Sequence, residues 1–455
     1  MGSGGFVEQW ELRAAFARSL SDMYGNEVPA YTTLLEVSHE VNADVMAADP
    51  AAAQRLGSID RVTAERHGAI RLGTPTELQQ VARVFGAIGM HPVGFYDLRE
   101  AATSAVPVVS TAFRPIDADE LARNPFRVFT SVITPSDRRF FSEDLQRRLE
   151  AFLGSREIFP PELLALADRA EAEHGLPREQ AQRFLQLATA VFELSPEPVD
   201  RAWYDELEQV SAVAADIGGV TSTHINHLTP RVLDIDALYE RMEARGITMI
   251  DDIQGPPRWD GPDVLLRQTS FRALAEPRTF RMPDGTITKD SLRVRFGEVE
   301  ARGIALTRAG RDIYDAAIVE AKRLYSERNE HSVTTADARQ EVLTELWRRD
   351  FPDTEDGLAE RGLAYFTYSS CGDGTGVVRT PIVYEDFLPA SAAGIFQSNL
   401  TSDGSKDSTQ EATALDTDWM AGALNRDLND PFDLYAAQQQ ASLDTLAGDL
   451  AVPPS

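Results

Sequence analysis

Apolar and polar positions along this chain alternate at two different periods, and the switches between them divide it. From 6 to 60 apolar residues recur every three or four positions, as in Leu12, Phe16 and Leu20 and again from 31 to 41, which predicts helices. A short strand is expected at 67–74, closed by a turn at Pro75, then an amphipathic helix over 76–89 with Leu78, Val81, Val84, Phe85 and Ile88 on one side. Strands are expected at 91–98 and 106–113. Helical signals return from 117 to 216, at 142–152, 161–174, 178–192 and 200–216, punctuated by Pro160-Pro161 and by Gly175 to Pro177.

The first order then recurs. A strand at 222–232 precedes a helix from 235, with Leu238, Met242 and Ala244 facing in and Gly246 where a helix stops. Strands are expected at 247–253, 264–271 and 292–300. The blocks 66–115 and 222–303 therefore share a β-α-β-β(-β) order, a duplication of pattern and not of identity. Helices at 307–325 and 334–347 follow, then a last apolar stretch at 363–400. From 401 the chain is rich in Asp, Ser, Thr, Gln and Ala and reads as a tail or loosely held arm. The expectation is an α+β fold in six parts: an N-terminal helical region (1–60), a first βαβββ-like module (61–116), a helical insertion (117–220), a second such module (221–304), a helical and mixed segment closing the site (305–400) and an acidic C-terminal arm (401–455).

Composition narrows the function. Among 455 residues, 72 Asp and Glu outweigh 44 Lys and Arg, for a net charge of −28. Nucleic acid and anionic membranes would be repelled, whereas a small anionic substrate needs only a local Arg. The single cysteine, Cys371, excludes a disulfide framework and reads as a buried structural thiol. No secretory leader or membrane-spanning run is recognisable, so a soluble cytoplasmic protein is expected.

Of the seven histidines, His174 reads as a solvated helix end, His39 and His331 lie in helical runs, and His91 opens a strand. His67 has different company. On a strand it shares a face with Ala69, Arg71 and Gly73, a poor packing surface but a good site wall. About 3.3 Å per residue separates the His67 and Arg71 backbones by roughly 13 Å, room for a short dicarboxylic acid between a metal and a guanidinium. His224 and His227 are three apart, so an unbroken strand sends them to opposite faces and at most one joins such a site. Glu298 and Glu300 share a face with Phe296 and Arg302, an unfavourable pairing unless a cation or Arg lies between or over the carboxylates. Two His and one carboxylate on three strands would form the facial triad of non-haem Fe(II) oxygenases. The Gly372 to Gly376 run lacks the strand-to-helix context of a phosphate cradle.

Four segments carry a resemblance. His67-Gly68-Ala69-Ile70-Arg71-Leu72-Gly73-Thr74, Ile225-Asn226-His227-Leu228-Thr229-Pro230-Arg231-Val232, Gly297-Glu298-Val299-Glu300-Ala301-Arg302-Gly303 and Tyr384-Glu385-Asp386-Phe387-Leu388-Pro389-Ala390-Ser391 resemble the 2-oxoadipate dioxygenase/decarboxylase family, over nearly the whole chain from Ser21 to Leu400. That family is similar to the vicinal-oxygen-chelate superfamily, which implies two βαβββ modules forming a curved central sheet. The resemblance favours His227 over His224 and Glu298 over Glu300, and implies an Fe(2+) held by His67, His227 and Glu298. It sets His67, Arg71 and Ala390 against the substrate, with Arg71 as the catalytic arginine holding the substrate carboxylate and Ala390 in contact through its backbone. The implied reaction takes 2-oxoadipate and dioxygen to 2-hydroxyglutarate and carbon dioxide in lysine breakdown. The alternatives are another metal-dependent enzyme of the same superfamily, such as an extradiol-type dioxygenase or an isomerase, and a non-catalytic small-molecule-binding protein.

Overall fold

A computed structural model describes residues 5–100, 105–293, 295–328, 336–371, 376–388, 406–407 and 409–451. The fold is mixed α+β, with helices around several sheets. Its centre is a five-stranded sheet in the spatial order His91–Asp97, Val108–Arg114, Arg127–Ile133, Arg66–Leu72, Ile225–Pro230. The strand Arg127–Ile133 lies parallel to Arg66–Leu72 and antiparallel to Val108–Arg114. It falls in the stretch expected to be helical from 117, and every one of its residues is buried. A strand covered on both faces loses the alternation that identifies strands at sheet surfaces.

Pairing register divides this sheet into two unlike faces. His67 pairs with Arg127, Ala69 with Phe129 and Arg71 with Ser131, while Ala69 also pairs with His227 and Ser131 with Ser110. Paired residues share a face, so one side gathers His67, Arg71, Arg127, Ser110, Ser131 and His227. The opposite side carries Ile70, Leu72, Val128, Val132, Val109 and Phe113, all buried. Against that apolar side lies the helix Pro75–Gly86, whose Phe85 ring packs 5.0 Å from that of Phe113. Thr74 caps the helix by accepting from the Glu77 amide at 3.1 Å, with Pro75 as the first helical residue, so the strand turns directly into its helix.

A second strand–helix–strand segment follows later in the chain. Ile225–Pro230 leads to the helix Ile235–Ala244, capped by Asp234, and later to the antiparallel pair Leu266–Ser270 and Glu298–Arg302. Single bridges from Met249 and Gln254 to the 266–271 segment stand where a full strand was expected, and a parallel bridge joins Arg231 to Glu300. The hairpin Glu276–Arg281 and Ile287–Leu292, absent from the sequence reading, is inserted between the last two strands.

The N-terminal helices, Gln9–Glu27 and Pro29–Ala48, brace this block from behind. The Tyr24 hydroxyl lies 3.0 Å from the Asn226 carbonyl and 2.8 Å from that of Phe296, linking the two strands that carry His227 and Glu298.

The region after 401 is not a loose arm where it is described. Helices Thr417–Leu424 and Pro431–Ala451 bury Met420, Leu424 and Tyr435. Asn429 pairs with the edge strand His91–Asp97, accepting from Gly94 N at 2.9 Å and donating to Pro92 O at 3.1 Å. Gln439 and Ser442 accept from the Phe366 and Tyr368 amides, each at 3.0 Å. Few aromatics suffice because this segment covers strand edges already built. Cys371, expected in the core, is half-buried beside a hairpin. Among the described residues, no helix is long and apolar enough to cross a membrane.

Candidate metal centre

Three strands deliver three donors to one point. One donor atom from each of His67, His227 and Glu298 lies within 4.8 Å of the others, and all three residues are buried. Nε2 of His67 is 3.3 Å from Oε2 of Glu298, and Nδ1 of His227 is 3.3 Å from Oε1 of the same carboxylate. The imidazole planes stand at 82° with centroids 5.4 Å apart. Glycines permit the approach. A Cβ on Gly297, next to Glu298, would stand 2.1 Å from Phe271 Cε1, and one on Gly68, next to His67, 2.8 Å from Ile225 Cδ1, so a side chain at either place would have to displace its neighbour.

The donor set fits a divalent cation. Neither ring nitrogen of the buried His227 makes a hydrogen bond to the described residues, which is costly unless another partner takes the lone pair. Burial, with the positive charges of His67 and Arg71, holds the His227 pKa down at about 4 against the pull of Glu298. The ring is therefore neutral near pH 7, the form a metal requires. Burial also opposes charge on His67, but Glu300 and Glu298 outweigh it and raise its pKa. A cation at the centre would take the place of that proton. Two imidazoles and a carboxylate suit several divalent metals.

The two glutamates separate cleanly. Glu300 receives Nε and Nη2 of Arg302 at 2.7 and 2.9 Å and faces Nδ1 of His67 at 3.0 Å. Burial would raise its pKa, but Arg302 and His67 bring it down to about 2. Glu298 has no Arg or Lys partner among the described residues; its other contact is the Thr229 hydroxyl at 3.3 Å. His224 is buried too, but its Nε2 sits 3.3 Å from Asp216 and outside the donor group.

Arg71 is 4% exposed and donates Nη1 to Asp216 Oδ2 at 2.5 Å. Ala390 lies outside the described residues. Phe387, a few residues before it, packs edge-on against His67 with centroids 5.0 Å apart and also touches Phe129. The same ring lines a cavity of about 550 Å³ together with Tyr96, Arg311, Asp386 and Tyr435; none of the three donors lines it. The 384–387 segment is clamped from several sides. Arg114 makes a paired contact with Asp386 at 2.8 and 3.1 Å, Arg302 donates to the Tyr384 and Asp386 carbonyls, and Tyr435 donates to Asp386 while accepting from Glu385 N at 2.7 Å.

Sequence reading missed Asp216 and Glu65. The first had a signal, a lone carboxylate inside Val213-Ala214-Ala215-Asp216-Ile217-Gly218, where burial of a charge demands a partner. Glu65, beside Arg66 and His67, had none.

A mixed α+β fold that brings two imidazoles and one carboxylate to one buried point defines a candidate mononuclear metal protein. The sequence profile of 2-oxoadipate dioxygenase/decarboxylase matches residues 16–399. Over 434 residues the chain is 56% identical to the 2-oxoadipate dioxygenase/decarboxylase of Mycobacterium bovis, covering 95% of this chain and 98% of the relative. It is 39% identical to the Pseudomonas putida protein of the same name, covering 98% of each. The crystal structure of hydroxyglutarate synthase in complex with 2-oxoadipate from Pseudomonas putida superposes with a TM-score of 0.84 at 36% identity, covering 99% of this chain and 100% of that one. The chain belongs to the 2-oxoadipate dioxygenase/decarboxylase family, as its four motifs implied.

Proposed function

We propose that this protein is an Fe(II)-dependent enzyme that converts 2-oxoadipate and dioxygen to 2-hydroxyglutarate and carbon dioxide in lysine breakdown. The observation that carries the metal reading is the convergence of His67, His227 and Glu298 at one buried point, with both His227 nitrogens lacking hydrogen bonds. The 2-oxo acid substrate rests on the family and on its Pseudomonas putida relative crystallised with 2-oxoadipate. The equation balances without a further reductant: oxidative decarboxylation of the six-carbon acid supplies two of the four electrons dioxygen takes up, and hydroxylation of the adjoining methylene supplies the other two. We read the modules expected at 61–116 and 221–304 as of vicinal-oxygen-chelate type, the first carried on into the expected insertion as far as Ile133, supported in each by a first strand lying parallel beside the last. A single cysteine suits the reducing cytoplasm.

The two imidazoles and Glu298 would hold the Fe(II), which would supply a site for a 2-oxo acid and for activation of dioxygen. The chain's own residues do the rest. His227 stays neutral by burial, and Glu298, free of guanidinium partners among the described residues, keeps its carboxylate for the metal. Arg71, four residues along the His67 strand, holds the distal carboxylate and so measures the acid's length. Burial of all these groups excludes water.

Anaerobic loading with Fe(II), followed by air and 2-oxoadipate, tests the reading: oxygen uptake and carbon dioxide release should proceed in equal amounts. Arg71→Ala should nearly abolish turnover, at a cost on the order of 2–5 kcal/mol, while bound iron is retained. Iron loss in that variant would make Arg71 structural, and absent oxygen uptake in the parent enzyme would refute the proposed reaction.

A further inference from the structure

His224 is not among the three donors, yet it is as buried as they are and belongs to a chain of its own. Its Nε2 lies 3.3 Å from Oδ1 of Asp216. The other oxygen of Asp216 accepts from Arg71 Nη1 at 2.5 Å and from Asn226 Nδ2 at 2.9 Å. Asn226 also stands 3.2 Å from His224 Nε2, and the Thr223 hydroxyl donates to the Arg71 carbonyl at 2.8 Å. Asp216 comes from the helix Ala212–Gly218, which is buried along its whole length. Burial opposes the charge of Asp216, but His224 and Arg71 outweigh it, and its carboxyl is held well below the ordinary carboxylate range.

Electrostatics gives this arrangement a direction. Arg71 and Asp216 cancel, so a substrate carboxylate arriving at Arg71 would leave one uncompensated buried negative charge. The His224 imidazole and the Asn226 amide are the polar groups packed against Asp216, where that charge would be felt. Asn226, next in sequence to His227, ties the carboxylate end of the site to the donor end through a single strand.

We infer that Asp216 and His224 are positioning residues for Arg71, and that the His224–Asp216–Arg71 chain makes the distal end of the site selective for a second carboxylate on the 2-oxo acid. This rests on the reading of Arg71 as the carboxylate clamp. Asp216 fixes the plane and direction of the guanidinium, on which paired recognition depends.

The test compares Asp216→Asn, His224→Ala and His224→Gln in the iron-loaded full chain. Two quantities are read: the KM for 2-oxoadipate, and the inhibition constant of 2-oxohexanoate, which has the same chain length without the distal carboxylate. Asp216→Asn should raise the KM by about tenfold or more, with kcat within about threefold of the parent. The inhibition constant of 2-oxohexanoate and the iron content should not move. His224→Ala should act in the same direction but less, and His224→Gln, whose amide nitrogen can stand in for Nε2, should restore most of the loss. An equal weakening for both acids, a fall in kcat alone, or a lowered KM would overturn the inference. Should Asp216→Asn fail to fold, an unchanged ratio of the two constants in His224→Ala would overturn it by itself. A parent enzyme inactive toward 2-oxoadipate would refute the functional reading and this inference with it, an outcome distinct from altered variants of an active parent.

Discussion

Two buried polar regions adjoin in this protein and use the same residue types to opposite ends. Behind the donors, Glu65 stands among Arg127 at 2.7 Å, Arg231 at 2.8 Å and Arg302 at 3.5 Å, and Glu385 is shared by Arg61 and Arg127. In front, Glu298 faces two imidazoles and a hydroxyl. Glu300 stands at the seam, facing His67 on one side and Arg302 on the other. In the rear region guanidinia outnumber carboxylates, so every carboxylate there already has its counter-charge and none is left for a metal. The front region is short of one cation. Burial alone does not mark a functional site; the sum of charges within the buried volume does.

Substitution sharpens that contrast, most strongly at the front. Glu298→Ala should bring bound iron below about a tenth of an equivalent and turnover down by about a thousandfold or more, read by metal analysis and oxygen uptake. Glu300→Gln should keep the metal and weaken its affinity by only about 10–100-fold. Equal metal loss in both would erase the distinction between the two carboxylates.

In the rear region the expected loss is of stability. Glu65→Gln leaves Arg127 and Arg231 without their shared counter-charge and should cost about 3–5 kcal/mol in urea unfolding, with metal affinity of the folded fraction unchanged. Acid should act through the same region. Burial opposes the charges of Glu65 and Glu385, but the surrounding arginines hold both pKa values down, that of Glu385 to about 2. Each pKa is lower in the folded state, so the stability they confer is complete above their ordinary value near 4.5 and is lost as pH falls below it, for Glu385 toward about 2. Urea midpoints across that window should fall less steeply in Glu65→Gln than in the parent. The smallest effect is expected at Tyr435→Phe, which removes one donor to Asp386 and one acceptor from Glu385 N at about 1–2 kcal/mol; a loss of bound iron there would show that the two regions are not separable.

The front region was the more legible in sequence. Alternation placed His67 and Arg71 on one face, and two carboxylates two apart announced a cation or an arginine; the structure supplies an arginine for Glu300 and two imidazoles for Glu298. Local pattern left His224 and His227 open and only the resemblance favoured His227; in the structure the choice follows the pairing of Ala69 with His227, a long-range register that local pattern does not encode. The strand Arg127–Ile133 escaped because both its faces are covered. The C-terminal helices escaped because their order comes from docking onto finished strand edges, which composition does not report. Glu65 and Asp216 are defined by partners far away in sequence.

The braced 384–387 segment has a consequence for how the molecule is made. Tyr435, which steadies Asp386, follows every donor in the chain, so a ribosome delivers His67, His227 and Glu298 well before the helix that secures their neighbour Phe387. A nascent polypeptide therefore carries all three candidate donors while the aromatic ring beside His67 is still unsecured.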